Sequence, residues 1–212
     1  MKESLLYPRI ETFLKHHFGC QWIGCRKGSE DVGQVDVVGV RSYRERFSNR
    51  YIVVGVEVKP KTYHFGKKVG QALGYSLFAH KVYLVCHERF TVTQIGLASN
   101  LGAGLIQIKK RAGCAEVLGS RTFQPDKEKM LRLLIRLDLG ECILCGSVFS
   151  FDDGYSQNLH KASTHGVALE MKRRIEAKDF PSFKGYHSRT SQYLYLCNLC
   201  NRLFREGQYK FK

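Results

Sequence analysis

Apolar residues recur along the chain in two periods, and their order predicts a mixed α/β fold. Leu6, Ile10, Phe13, Leu14 and His17 repeat at helical spacing. They predict a helix over residues 3–18, with Pro8 tolerable near its first turn and Gly19 at its end. Residues 20–25 read as a first strand, 26–33 as a polar turn and 34–40 as a second strand. Residues 51–59, Tyr-Ile-Val-Val-Gly-Val-Glu-Val-Lys, make a third strand that Pro60 stops. Residues 41–50 between them, with four arginines, form a basic connector. Residues 67–80 read as a helix weakened by Gly70 and Gly74. A buried strand over 81–86, a helix over 91–101 and strands over 104–108 and 115–118 follow. Asp126, after Pro125, caps a last helix running to Leu137.

The first three strands have short connections, which suit antiparallel pairing. The later ones are separated by helices, which suit parallel crossovers. The expected fold is a mixed central sheet flanked by helices. Gly140 marks a change to paired cysteines, aromatics and polar loops, so the expected domains are 1–138 and 139–212.

Within the third strand, Glu57 and Lys59 leave on one face because side chains alternate. A charged pair ending an apolar strand needs partners, since bare burial of charge is costly. Asp36 on the preceding strand is the candidate partner. Two converging carboxylates can hold a divalent cation beside a lysine that serves a water or a phosphate. That is the chemistry of a phosphodiesterase.

Asp36, the strand bearing Glu57-Val58-Lys59 and the following helix with Gln71-Ala-Leu-Gly-Tyr75 together resemble the PD-(D/E)xK nuclease superfamily. The Gln-x-x-x-Tyr pattern is similar to its RecB-like branch, and the resemblance covers residues 1–138. Val35 stands where proline is common in the superfamily, and the linker from Asp36 to Glu57 is long. The resemblance implies a restriction-endonuclease-like fold and a metal-dependent endonuclease. Asp36 and Glu57 would bind Mg2+ or Mn2+. Lys59 would position the water or stabilise the transition state, and Gln71 would orient the water or the lysine. Glu3, with Glu11 as the competing choice, would add a carboxylate from the first helix. Tyr75 shares the Gln71 face, with packing as its commonest role. Arg41, Arg44 and Arg46 in the long linker would contact DNA.

Cys142-Ile-Leu-Cys145 and Cys197-Asn-Leu-Cys200 are two pairs, each spaced to bend into a knuckle presenting two thiolates. Four thiolates in tetrahedral array suit structural Zn2+, with an iron–sulfur cluster as the rival. The module faintly resembles an HNH-type treble clef, with His160 near the leading histidine. The usual Asp-His pair is missing, so it reads as support or DNA binding. Lys172, Arg173 and Arg174 lie on an expected helix near 167–178 and can face phosphates.

Composition narrows the partners. The 212 residues carry a formal charge of +15. Basic side chains outnumber acidic ones 23 to 12 over residues 1–138 and 11 to 7 over 139–212, so the excess is not a tail. A basic folded chain of this kind meets a polyanion, most often nucleic acid. Neither an export signal nor an apolar run near the roughly 20 residues of a membrane span is present. With paired cysteines, this predicts a reducing cytoplasm and no membrane partner. The expected partner is duplex or branched DNA, and double-strand cutting favours a homodimer. A non-catalytic nucleic-acid-binding protein and an RNA-processing nuclease are the alternatives.

Overall fold

The computed structural model describes residues 2–29, 33–44, 49–109, 113–153, 157–158 and 195–205. A six-stranded sheet in the order β1-β2-β3-β4-β5-β6 organises the first part. Its strands are β1 (Trp22–Ser29), β2 (Gly33–Arg44), β3 (Asn49–Lys59), β4 (Lys81–Cys86), β5 (Gly104–Lys109) and β6 (Gly113–Leu118). The helices are α1 (Tyr7–His17), α2 (Phe65–Gly74), α3 (Val92–Leu101) and α4 (Lys127–Arg136). A mixed sheet flanked by helices is thus the observed architecture. β3, β4 and β5 are parallel, because α2 and α3 carry the chain back across the sheet between them. β1 runs antiparallel to β2, and β6 to β5.

Several boundaries differ from the expectation, each for a local reason. Residues 3–18 are not one helix. A 3-10 turn over Glu3–Leu5 precedes α1, and Pro8 falls in its first turn, where its missing N–H costs nothing. The expected helix over 67–80 begins at Phe65 and yields after Gly74 to a 3-10 turn, Tyr75–Leu77. β1 runs through residues 26–29, read as a turn, because an edge strand needs no apolar alternation. The basic connector is shorter than expected, since β2 extends to Arg44 and β3 starts at Asn49. Thr91 closes a capping box with Gln94 at the start of α3. The Lys129 N–H donates to Asp126 Oδ1 at 2.9 Å, so Asp126 caps α4 as expected.

The core on one face of the sheet is built by α1. Leu6, Tyr7, Ile10 and Leu14 pack with Val37, Val54, Val56, Val58, Tyr83, Val85, Ile106 and Ile108. The chain divides into two compact units, residues 1–42 with 51–133, and residues 43–50 with 134–212. In the second unit, β7 (Leu139–Glu141) pairs with β8 (Val148–Ser150), and β9 (Gln157–Asn158) with β10 (Tyr195–Leu196). Helix α5 (Asn198–Arg205) follows. Among the described residues, no helix is long and apolar enough to cross a membrane.

His80 makes the first unit sensitive to acid. Its Nδ1 accepts the Val53 N–H at 3.1 Å, so that nitrogen must stay unprotonated. Burial, then the nearby charge of Lys127, lower its pKa from 6.5 to about 4. The unfolded chain therefore binds this proton more readily than the folded one. The contribution of His80 to stability is expected to be flat above pH ~6.5 and to fall as pH drops from ~6.5 to ~4. The loss is about 2 kcal/mol after discounting for partial exposure. Urea unfolding across that window checks it, with His80→Gln expected to flatten the slope.

Candidate active site and metal centre

Alternation along β3 sends Val54, Val56 and Val58 into the core beneath α1 and turns Gly55, Glu57 and Lys59 the other way. Gly55 matters for its lack of a side chain: a Cβ there would lie 3.1 Å from Tyr75 Cβ. Tyr75 closes onto this gap. Its hydroxyl makes a short hydrogen bond to Glu57 Oε2 and lies 3.1 Å from the Gln34 carbonyl.

Lys59, the last residue of β3, gathers three carboxylates. Its Nζ stands 2.8 Å from Glu57 Oε1, 3.1 Å from Glu3 Oε1 and 3.9 Å from Asp36 Oδ2. Asp36 is fixed at both oxygens. The Tyr7 hydroxyl donates to Oδ1 at 3.1 Å, and the Val58 N–H donates to Oδ2 at 2.9 Å. The residues come from the first turn, α1, two neighbouring strands and the end of the α2 segment. They meet at the carboxyl end of a parallel strand, where open α/β sheets bind ligands.

Burial and neighbouring charge act against each other at these groups. Glu57 is 5% exposed. Burial raises its pKa, and hydrogen bonds from Lys59 and Tyr75 offset that rise only in part. Burial works to lower the Lys59 pKa, but the bond and charge of Glu57, then Glu3 and Asp36, outweigh it and keep the ammonium charged. Burial, then the Glu57 carboxylate, raise the Tyr75 pKa, so the phenol stays protonated and donates. Three carboxylates around one ammonium leave, when all are ionised, two negative charges that Lys59 alone does not balance.

The second unit holds a different cluster. The sulfurs of Cys142, Cys145, Cys197 and Cys200 all lie within 4.8 Å of one another. Among the described residues this is the one group of three or more such side chains placed to hold a metal ion. Cys145 Sγ and Cys197 Sγ are 3.9 Å apart. Tetrahedral coordination at a metal–sulfur distance of ~2.3 Å requires about 3.8 Å between sulfurs, so the spacing suits a metal such as zinc. The first knuckle turns on two backbone bonds, Cys142 N–H to Ser147 O and Gly146 N–H to Cys142 O, each 2.8 Å. Gly146 takes φ 68°, a conformation glycine adopts freely. The second knuckle opens α5, where the Asn201 N–H donates to Cys197 O at 2.9 Å. Hydrogen bonding within the cluster lowers the Cys145 pKa and brings Cys197 down to about 6, while it raises those of Cys142 and Cys200, so the four sulfurs share protons instead of titrating singly.

No family model and no curated protein matches this chain. Among solved structures it is similar to SPO1766, a protein of unknown function from Silicibacter pomeroyi. The identity is 12%, the TM-score 0.43, and the match covers 89% of this chain and 97% of that one. A likeness of that size decides nothing about this chain's activity.

Asp36, Glu57, Lys59 and Glu3 of the expected site come together. The competing Glu11 accepts a bond from Cys25 Sγ at 2.7 Å instead. Gln71 is exposed on α2, and among the described residues no hydrogen bond or ion pair joins it to the pocket. Tyr75, one turn on, is the side chain from that segment that touches Glu57. Arg41 is exposed on β2. Only the backbone of Arg44 is described, and Arg46, Lys172, Arg173, Arg174 and His160 lie outside the described residues. Tyr7, four residues after Glu3, had no role assigned from sequence, and its hydroxyl holds Asp36.

Proposed function

We propose that the protein is a metal-dependent DNA endonuclease on a PD-(D/E)xK-like core. It hydrolyses backbone phosphodiesters in the pocket of Glu3, Asp36, Glu57 and Lys59. The observation that carries the reading is the convergence of three carboxylates on one lysine at the end of β3. Folding gains little from such a group, because desolvating charges offsets their attraction. Clustered, perturbed ionisable groups of this kind mark functional sites.

Carboxylate oxygens are the donors that Mg2+ and Mn2+ prefer; here they close on Lys59, so an ion would have to displace that ammonium from Glu57. Asp36 and Glu57 would hold the ion, with Glu3 beside them. Once bound, it would acidify a water and act as a Lewis acid toward the phosphate. The rest is done by the chain. Lys59 Nζ donates to a phosphate oxygen as negative charge grows there during in-line attack. Tyr7 and the Val58 N–H keep Asp36 in one orientation, and Tyr75 does the same for Glu57. Burial of Glu57 keeps bulk water from screening these interactions. The thiolate centre would hold zinc and brace the second unit for DNA contact, with the basic surface supplying affinity.

The test is cleavage of supercoiled plasmid, branched DNA and single-stranded RNA with Mg2+ or Mn2+. Cleavage of DNA by the wild type and its loss in Lys59→Ala are expected. Robust cleavage by Lys59→Ala would move the centre elsewhere, and cleavage of RNA alone would change the substrate.

A further inference from the structure

Arg26 stands in an unusual place for its residue type. β1 and β2 pair in constant register, with Cys25 opposite Val37 and Lys27 opposite Val35, so Arg26 faces Asp36 across the strands. The ladder skips that one pair. There the Arg26 backbone turns to φ 49°, a left-handed conformation that disfavours any side chain with a Cβ. Strain of this kind persists where function requires it. Nothing in packing explains it, because the side chain is exposed.

The consequence is where the guanidinium goes. Its central carbon lies 5.7 Å from the centroid of the Tyr7 ring. Tyr7 is the residue whose hydroxyl holds Asp36. Tyr7 first, and then the charges of Asp36 and Glu3, raise the Arg26 pKa, while the side chain still faces solvent. The pocket itself has one ammonium, already surrounded by three carboxylates. A phosphodiester entering it needs a second cation that is not consumed by internal ion pairs, and an arginine fork suits phosphate oxygens.

We propose that Arg26 is a substrate-binding residue that takes a non-bridging oxygen of a DNA backbone phosphate at the mouth of the carboxylate–lysine pocket. This rests on reading the pocket as a phosphodiester site. The strained backbone is what carries the side chain over Tyr7 instead of along the edge of the sheet.

Arg26→Gly separates the two roles, because glycine accepts the left-handed backbone and removes the cation. Its melting temperature is expected to rise by a few degrees, as relief of strain requires. Affinity for a fluorescein-labelled DNA duplex, measured in Ca2+ to prevent turnover, is expected to fall by about tenfold. The slope of log K against log salt should become shallower by about 0.9, the loss of one phosphate contact. Arg26→Lys, which keeps the charge, should restore most of the slope and only part of the affinity. An Arg26→Gly protein that binds with wild-type affinity and slope overturns the assignment. So does one that melts lower, since Arg26 would then be structural. Binding without cleavage by the wild type would overturn only the hydrolytic reading, whereas a wild type that binds no DNA would overturn both.

Discussion

Glu57→Gln is expected to slow DNA cleavage by about 10²- to 10³-fold or more, equivalent to roughly 3–4 kcal/mol of lost transition-state stabilisation. The substitution keeps the shape of the side chain and removes one charge. That charge is buried, bonded to Lys59 Nζ at 2.8 Å and to the Tyr75 hydroxyl. Lys59 loses one partner but keeps Glu3 at 3.1 Å, so the variant should stay folded with a modestly lower melting temperature. Duplex binding should be unchanged, since affinity comes from phosphate contacts with basic side chains. Loss of rate with fold and binding intact is the signature of a group that acts on the reaction. Glu128→Gln serves as the control. Glu128 pairs with Arg132 on α4 at 2.5 Å and should change the rate little. Single-turnover cleavage, thermal melting and fluorescence anisotropy measure the three quantities.

The second large effect concerns the thiolate centre. Stripping the ion with a chelator, or replacing Cys145 by Ser, is expected to unfold the elements built on the four sulfurs. Structural zinc contributes about 10–16 kcal/mol to such small modules. Among the described residues, the short pairs β7–β8 and β9–β10 and helix α5 cannot supply that much from their own apolar burial. Amide exchange should show protection lost at residues 139–150 and 195–205. Protection in β3, β4 and β5 should persist. Elemental analysis should give one zinc per chain. Unchanged protection after complete removal of the metal would contradict a structural role, and bound iron with visible absorbance would replace zinc by a cluster.

Legibility of the chain followed burial. The parallel strands β3, β4 and β5 could be read because they are apolar on both faces, as strands covered by helices must be. The cap at Asp126 could be read because its bond is local. The extensions of β1 through Ser29 and of β2 to Arg44 could not. Those stretches are polar and lie beyond the apolar core, where hydrophobic alternation carries no signal. In the site, Glu57 and Lys59 were linked by strand parity alone, and Asp36 by its place on the neighbouring strand. The roles of Tyr7 and Tyr75 were hidden, since a tyrosine on a helix looks the same in sequence whether it packs or orients a carboxylate. Gln71 illustrates the converse. A motif placed it at the site, while the contact to Glu57 comes from Tyr75, which the glycine at position 55 admits. Arg26 was missed because nothing in the sequence marks a left-handed residue other than glycine.

The most direct measurement is a crystal structure with Mn2+, located by its anomalous scattering. The account predicts a peak bonded by oxygens of both Asp36 and Glu57, with Lys59 Nζ moved away from Glu57 to make room for the ion. A map with manganese bound elsewhere, and Lys59 still bridging Glu3 and Glu57 at saturating Mn2+, would contradict it.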